Sequence, residues 1–201
     1  MSAPSLSPSL SLSVPLPVGF TVMWTADGGA TDPVDEQLLG PPLRAWLADV
    51  RDRTTQAPGV VLCAVHVELW QGGPVTASLV VSAQPLDEAA LAPDGLHEWA
   101  LDRTSTAGEV SRLTLAAGRA VRSVDVVTVR EAGAASGGGD DPPPGSAGVV
   151  EVHLPEAAPG LLLSVVLTTR HLELLDAYAA LTSDIAAGVA VEVGPPTQSR
   201  A

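Results

Sequence analysis

The side chains with which this chain could do chemistry are few: four histidines, a set of carboxylates and one cysteine. His66 and Glu68 stand two apart in one apolar run, and Glu151 and His153 stand two apart in another. Residues i and i+2 of a β-strand share a face, so each run presents an imidazole beside a carboxylate. Were the two strands neighbours, the four groups would form a His/carboxylate donor set for a transition metal. Spacing alone does not make them neighbours, and polar residues on the outer face of a strand are ordinary. No metal ligand is assigned. His171 follows Thr168-Thr169-Arg170 at a strand-to-helix junction, where free N–H groups and Arg170 could hold an anion. The capping preferences favour a plainer reading, with Thr168 or Thr169 capping the helix and Arg170 and His171 solvated.

The familiar reactive patterns are absent. The sequence has no G-x-S-x-G elbow, no H-E-x-x-H, no C-x-x-C and no EF-hand loop. GGGDDPPPG, within residues 137–145, is not a phosphate loop: it lacks the Lys-Ser/Thr ending, and its aspartates would repel an anion. All ten basic residues are arginine, which excludes lysine Schiff bases and P-loop lysines. Serine, histidine and acid residues distant in sequence can still meet in space, since triads are geometric. No catalytic residue and no cofactor-binding residue is assigned.

Composition bounds the partners. The net charge of −13 repels phosphate backbones and anionic lipid heads, so neither nucleic acid nor a membrane surface is expected as a partner. A basic protein is compatible. Cys63, the only cysteine, excludes an intrachain disulfide and fits a small buried hydrophobe in VVLCAV. No apolar run reaches the ~20 residues of a membrane span. The start of the chain lacks the charged n-region of a signal peptide, so the expected location is cytoplasmic.

The elements that must position these residues follow from periodicity. Hydrophobic residues make up 46% of the chain and aromatics 3%, so the core must be Val, Leu and Ala. Residues 1–10 and 194–201 are expected to be disordered, around one domain over 11–193. Two short extended pieces bend at Pro15, Pro17 and Gly19. Thr31-Asp32-Pro33 is a helix-start signal, and the better-defined helix spans 42–54, ended by Ala57-Pro58-Gly59. Residues 60–70 and 75–84 read as a hairpin, with Val75, Ala77, Leu79, Val81 and Ala83 on one face. A short helix is the most that 85–105 allows, with Trp99 pinning it to the core. Residues 109–131 form a second hairpin turning at Ala117-Gly118, and 132–148 is a flexible Gly/Pro loop. VVEVHL (149–154) alternates, and LLLSVVLTT (161–169), apolar on both faces, reads as a strand covered on both sides. A helix over 171–187 carries one stripe, Leu174, Tyr178, Leu181 and Ile185, with Gly188 as its C-cap. VAVEV closes as a strand. Trp24 and Trp70 could anchor a partner, but packing is the simpler role in a core so poor in aromatics. The class is α+β, an antiparallel β-sheet with helices packed on its faces.

LTTRHLELLDAYAALTSDIAAGVAVEV resembles the C-terminus of a group of uncharacterised actinobacterial proteins. Thr168-Thr169 matches their Ser/Thr-Thr turn, and Leu181-Thr182-Ser183-Asp184-Ile185-Ala186-Ala187 matches their ending. LSVPLPVGF and VTASLVVSAQPL are similar to their opening and to one of their strands. Thr182 and Gly188-Val189 depart from that pattern by lacking aromatics, and 132–148 looks like an insertion. The resemblance implies a PsbP-like or LpqN-like α/β/α sandwich and a non-catalytic binding or assembly role, with some members beside type VII secretion genes. It supplies no catalytic residue. The expected function is therefore a protein-binding accessory. An immunity-type inhibitor of a basic toxin and an enzyme of unrecognised type are the alternatives.

Overall fold

The structure, a computed structural model, describes residues 6–7, 10–26, 40–70, 73–86, 94–129, 145–156, 160–193 and 197–198. Its elements in chain order are β1 (Leu6–Ser7), β2 (Leu10–Ser13), β3 (Phe20–Thr25), α1 (Pro41–Gln56), β4 (Val60–Trp70), β5 (Gly73–Pro85), α2 (Gly95–Arg103), β6 (Glu109–Leu115), β7 (Gly118–Val129), β8 (Gly145–Glu156), β9 (Leu161–Thr169), α3 (Leu175–Gly188), β10 (Ala190–Val193) and β11 (Thr197–Gln198). β3 to β9 form one seven-stranded antiparallel sheet in the order β3-β4-β5-β9-β8-β7-β6. The α+β class is as expected. Two short ladders, β2 with β10 and β1 with β11, stand apart from the sheet.

Three hairpins build the sheet, and β9 lies against β5 to join the first to the last. Register divides the side chains between two faces. Ala64, Leu79, Leu167 and Val150 are paired in one row, and Cys63, Val80, Val166, Glu151 and Ser123 in the row behind it. The first row belongs to the main core, where Leu79, Val81, Val150, Val152, Leu163, Val165 and Leu167 are buried under Tyr178, Ala179, Ile185 and Ala186 of α3. Thr182, missing from the predicted stripe, is wholly buried there because its hydroxyl donates to the Tyr178 carbonyl at 2.7 Å. Burying a hydroxyl is tolerable only with such a partner.

The opposite face carries both other helices. α1 starts with Pro41 and Pro42 after Gly40, where missing N–H groups cost nothing, and lays Leu47 and Val50 on Met23, Cys63 and Val65. A bulge between Val22 and Trp24 lets both Met23 and Trp24 join that cluster. Trp24 is thus a packing residue, its indole N–H donating to Thr54 Oγ1 at 3.0 Å. α2 lays Leu96 and Ala100 against Val121 and Leu162.

Four expectations are corrected. β9 is covered on both sides only at Leu162, under α2: its α3 face is buried, while Ser164, Val166 and Thr168 on the other face stay partly exposed. Periodicity cannot distinguish a covered face from an apolar but accessible one. β8 begins at Gly145, so 145–148 belong to a strand, paired with the far end of β7; residues 132–144 lie outside the described ones, as does Thr31-Asp32-Pro33. The last helix opens with a 3-10 turn (Leu172–Leu174) before α3. Gly188 is its final residue, not its C-cap, and a Cβ there would meet Pro15 Cγ at 2.6 Å.

Candidate functional site

The chemistry-bearing residues separate into two groups on opposite faces. β8 turns back into β9 so that Glu156 pairs with Leu161, and counting inward places His153 opposite Ser164. His153 Nδ1 lies 2.9 Å from Ser164 Oγ, and its Nε2 lies 3.1 Å from Glu151 Oε2. The imidazole side chain is 5% exposed and that of Glu151 34%. Trp99 of α2 closes the site with its ring perpendicular to the imidazole, centroids 4.8 Å apart, and the Arg103 guanidinium lies 4.8 Å over the same indole. The hydrogen bond from His153 holds the Glu151 carboxyl below its usual range against the opposing effect of burial, helped by the charges of His153 and Arg103. With Glu151 ionised, Nε2 carries a proton and donates to it. The Ser164 hydroxyl can donate to a neutral Nδ1 or accept from a protonated one, so both states of the ring are satisfied.

This acid–histidine–serine relay has the residue types of a hydrolase but not the surroundings. A serine nucleophile needs free backbone N–H groups aimed at the developing oxyanion. Ser164 sits mid-strand, flanked by Ser82 of β5 and His153 of β8, where the backbone is committed to ladders. The relay instead fastens α2 to the sheet through Trp99.

His66 belongs to the α3 face. Its ring stacks on Phe20 with centroids 5.2 Å apart, Nδ1 lies 3.3 Å from the Tyr178 hydroxyl, and Nε2 lies 3.9 Å from Glu68. Burial, then the charges of Glu68 and Glu173, push the Tyr178 phenol up, so it remains a donor. Since β5 and β9 separate β4 from β8, His66 and Glu68 do not meet Glu151 and His153. Among the described residues no group of three or more His, Cys, Asp or Glu is placed to hold a metal ion.

The His171 junction also differs from expectation. Thr169 Oγ1 accepts the His171 N–H at 3.1 Å and donates to the Thr76 carbonyl at 2.9 Å. It ties the turn to β5 and does not cap the helix, whose start has no side-chain cap. His171 is half-buried, with Nε2 3.2 Å from the Pro74 carbonyl and Nδ1 3.1 Å from Glu173. Cys63 is fully buried, as expected, and burial raises its thiol pKa. The side chain of Trp70 lies outside the described ones.

The relay was half visible in the sequence. Glu151-x-His153 is a same-face pair, and the register of a hairpin closing over residues 157–160 points to Ser164. Trp99 does pin its segment to the core, as expected, but no local signal sets it over His153, because it arrives from another element. Among the described residues no helix is long and apolar enough to cross a membrane. Neither the protein-family models nor the curated proteins contain a match to the chain.

Proposed function

We propose that the protein is a non-catalytic binding or assembly protein that engages a protein partner on the sheet face between α1 and α2. The observation that carries this reading is a strip there that no described helix covers. α1 packs on β4, α2 packs on β6 and β7, and between them Ser78, Val80, Ser82, Ser164, Val166 and Thr168 are partly exposed. Strands lie ~4.8 Å apart, so β4 and β7 stand roughly 20 Å from each other. At one end α2 reaches in as far as Leu162, with Trp99 over His153. Packed helices need about 10 Å each. One helix-thick segment of a partner fits between them. Hydroxyls and two valines give such a segment both hydrogen bonds and apolar contact, while Glu151 at the border and the charge of −13 favour a basic partner.

The resemblance to actinobacterial PsbP-like and LpqN-like sandwiches belongs to the same proposal, as does an accessory role in type VII secretion. A photo-crosslinking residue placed at Ser82 or Val166 in the native host tests it. A discrete adduct is expected from those positions and not from the exposed Leu101 on α2. Adducts from Leu101 alone would overturn the assignment of this face. Capture of a basic toxin at Ser82 would make the protein an immunity-type inhibitor acting through the same strip.

A further inference from the structure

Among the described residues, three buried side-chain polar atoms have no hydrogen-bond partner: His97 Nδ1, Ser111 Oγ and Arg122 Nε. The last two stand directly opposite each other, Ser111 on β6 and Arg122 on β7. Both point to the α3 side of the sheet, in register with Val152 of the main core. A buried donor left unmade is costly, and here two share one spot.

Charge sharpens the case. The chain holds 23 acidic residues, yet no described carboxylate pairs with Arg122. Glu109, two residues from Ser111 on the same face, is exposed and lies opposite Val124, not Arg122. Arg112 and Asp125 on the opposite face are engaged elsewhere, with Asp94 and with Ser105. Around the pair lie Leu113, Leu115 and Val124, only partly buried against the core, because α3 packs over β8 and β9 and leaves β6 and β7 at its flank. The result is an apolar shelf in which one unpaired guanidinium edge and one hydroxyl lie between Val124 on one side and Leu113 and Leu115 on the other.

We propose that Ser111 and Arg122 form the polar end of a binding site for a small carboxylate with an apolar tail, such as a medium-chain fatty acid. Arg122 Nε–H donates to one carboxylate oxygen and the Ser111 hydroxyl to the other, while the tail lies along Leu113 and Leu115. Arginine suits this role because its donors match carboxylate geometry. The site is on the opposite face from the proposed partner strip and does not depend on that reading.

Decanoate, titrated into the full chain below its micellar concentration, is the probe, with acetate and decanol as head-only and tail-only controls. Decanoate is expected to raise the Tm and to shift the Arg122 Nε–H resonance, assigned by its loss in Arg122→Gln. Arg122→Gln should weaken decanoate about 10- to 100-fold, as expected for loss of a charge-assisted hydrogen bond, and Ser111→Ala should weaken it less. Decanol binding as tightly as decanoate would overturn the proposal. So would an unmoved Arg122 resonance at saturation, which needs no folded variant beyond the one used for assignment.

Discussion

Replacing His153 by leucine would keep the volume under Trp99 and leave Glu151 and Ser164 without the ring between them. The expected loss is about 2–3 kcal/mol, the usual cost of stranding polar groups at a covered site, read from urea unfolding followed by Trp fluorescence. The Glu151 carboxyl adds a pH signature. Its folded pKa lies below that of an ordinary glutamate, so it contributes stability above the unfolded value and loses it as pH falls through the folded one. The stability gap between the native chain and Glu151→Gln should therefore be full at neutral pH and close on acidification. A gap independent of pH would show that the carboxylate charge plays no part. These pairings could be read from i, i+2 spacing and hairpin register. The separation of His66 from His153 could not, because it depends on β9 entering the sheet between β5 and β8.

At the scale of elements, local pattern placed most of what forms. α1 was expected over 42–54 and spans Pro41–Gln56; β4 and β5 pair as the expected hairpin, and β6 and β7 do so with a turn at Ala116-Ala117, one residue before the expected Ala117-Gly118. Gly59 shows why. It has φ +74°, and a Cβ there would lie 2.5 Å from the Ala83 carbonyl oxygen. Gly59→Ala should cost more than the ~1 kcal/mol of an ordinary left-handed site, measured as a drop in urea midpoint. Gly188 shows the limit of such reading. Its place after an apolar stripe suits a C-cap, yet its lack of a side chain admits Pro15 from the far end of the domain. Gly188→Ala is expected to cost about 1–3 kcal/mol by overpacking and to speed protease cleavage within residues 10–17. Unchanged cleavage would mean that the Pro15 contact does not hold that segment.

For the molecule as a whole, the class was legible and the strand order was not, since periodicity reports which face is apolar but not which strand lies beside it. The order leaves β3 and β6 as the two edges. β3 is bulged, and β6 carries the exposed Arg112, paired with Asp94 at 2.7 Å. Both features discourage edge-to-edge association. Arg112→Val is accordingly expected to make elution volume in size-exclusion chromatography depend on protein concentration, with the native chain eluting independently of it over the same range.

The burial of Cys63 has an experimental use. It is the only thiol in 201 residues, it lies with no exposed surface beneath α1, and its pKa is raised. A thiol reagent can reach it only when α1 lifts or the whole domain opens. The labelling rate is then a clock for that opening, set without any engineered probe. A partner docked alongside α1 should slow the clock, whereas decanoate on the far face should slow it only through global stability.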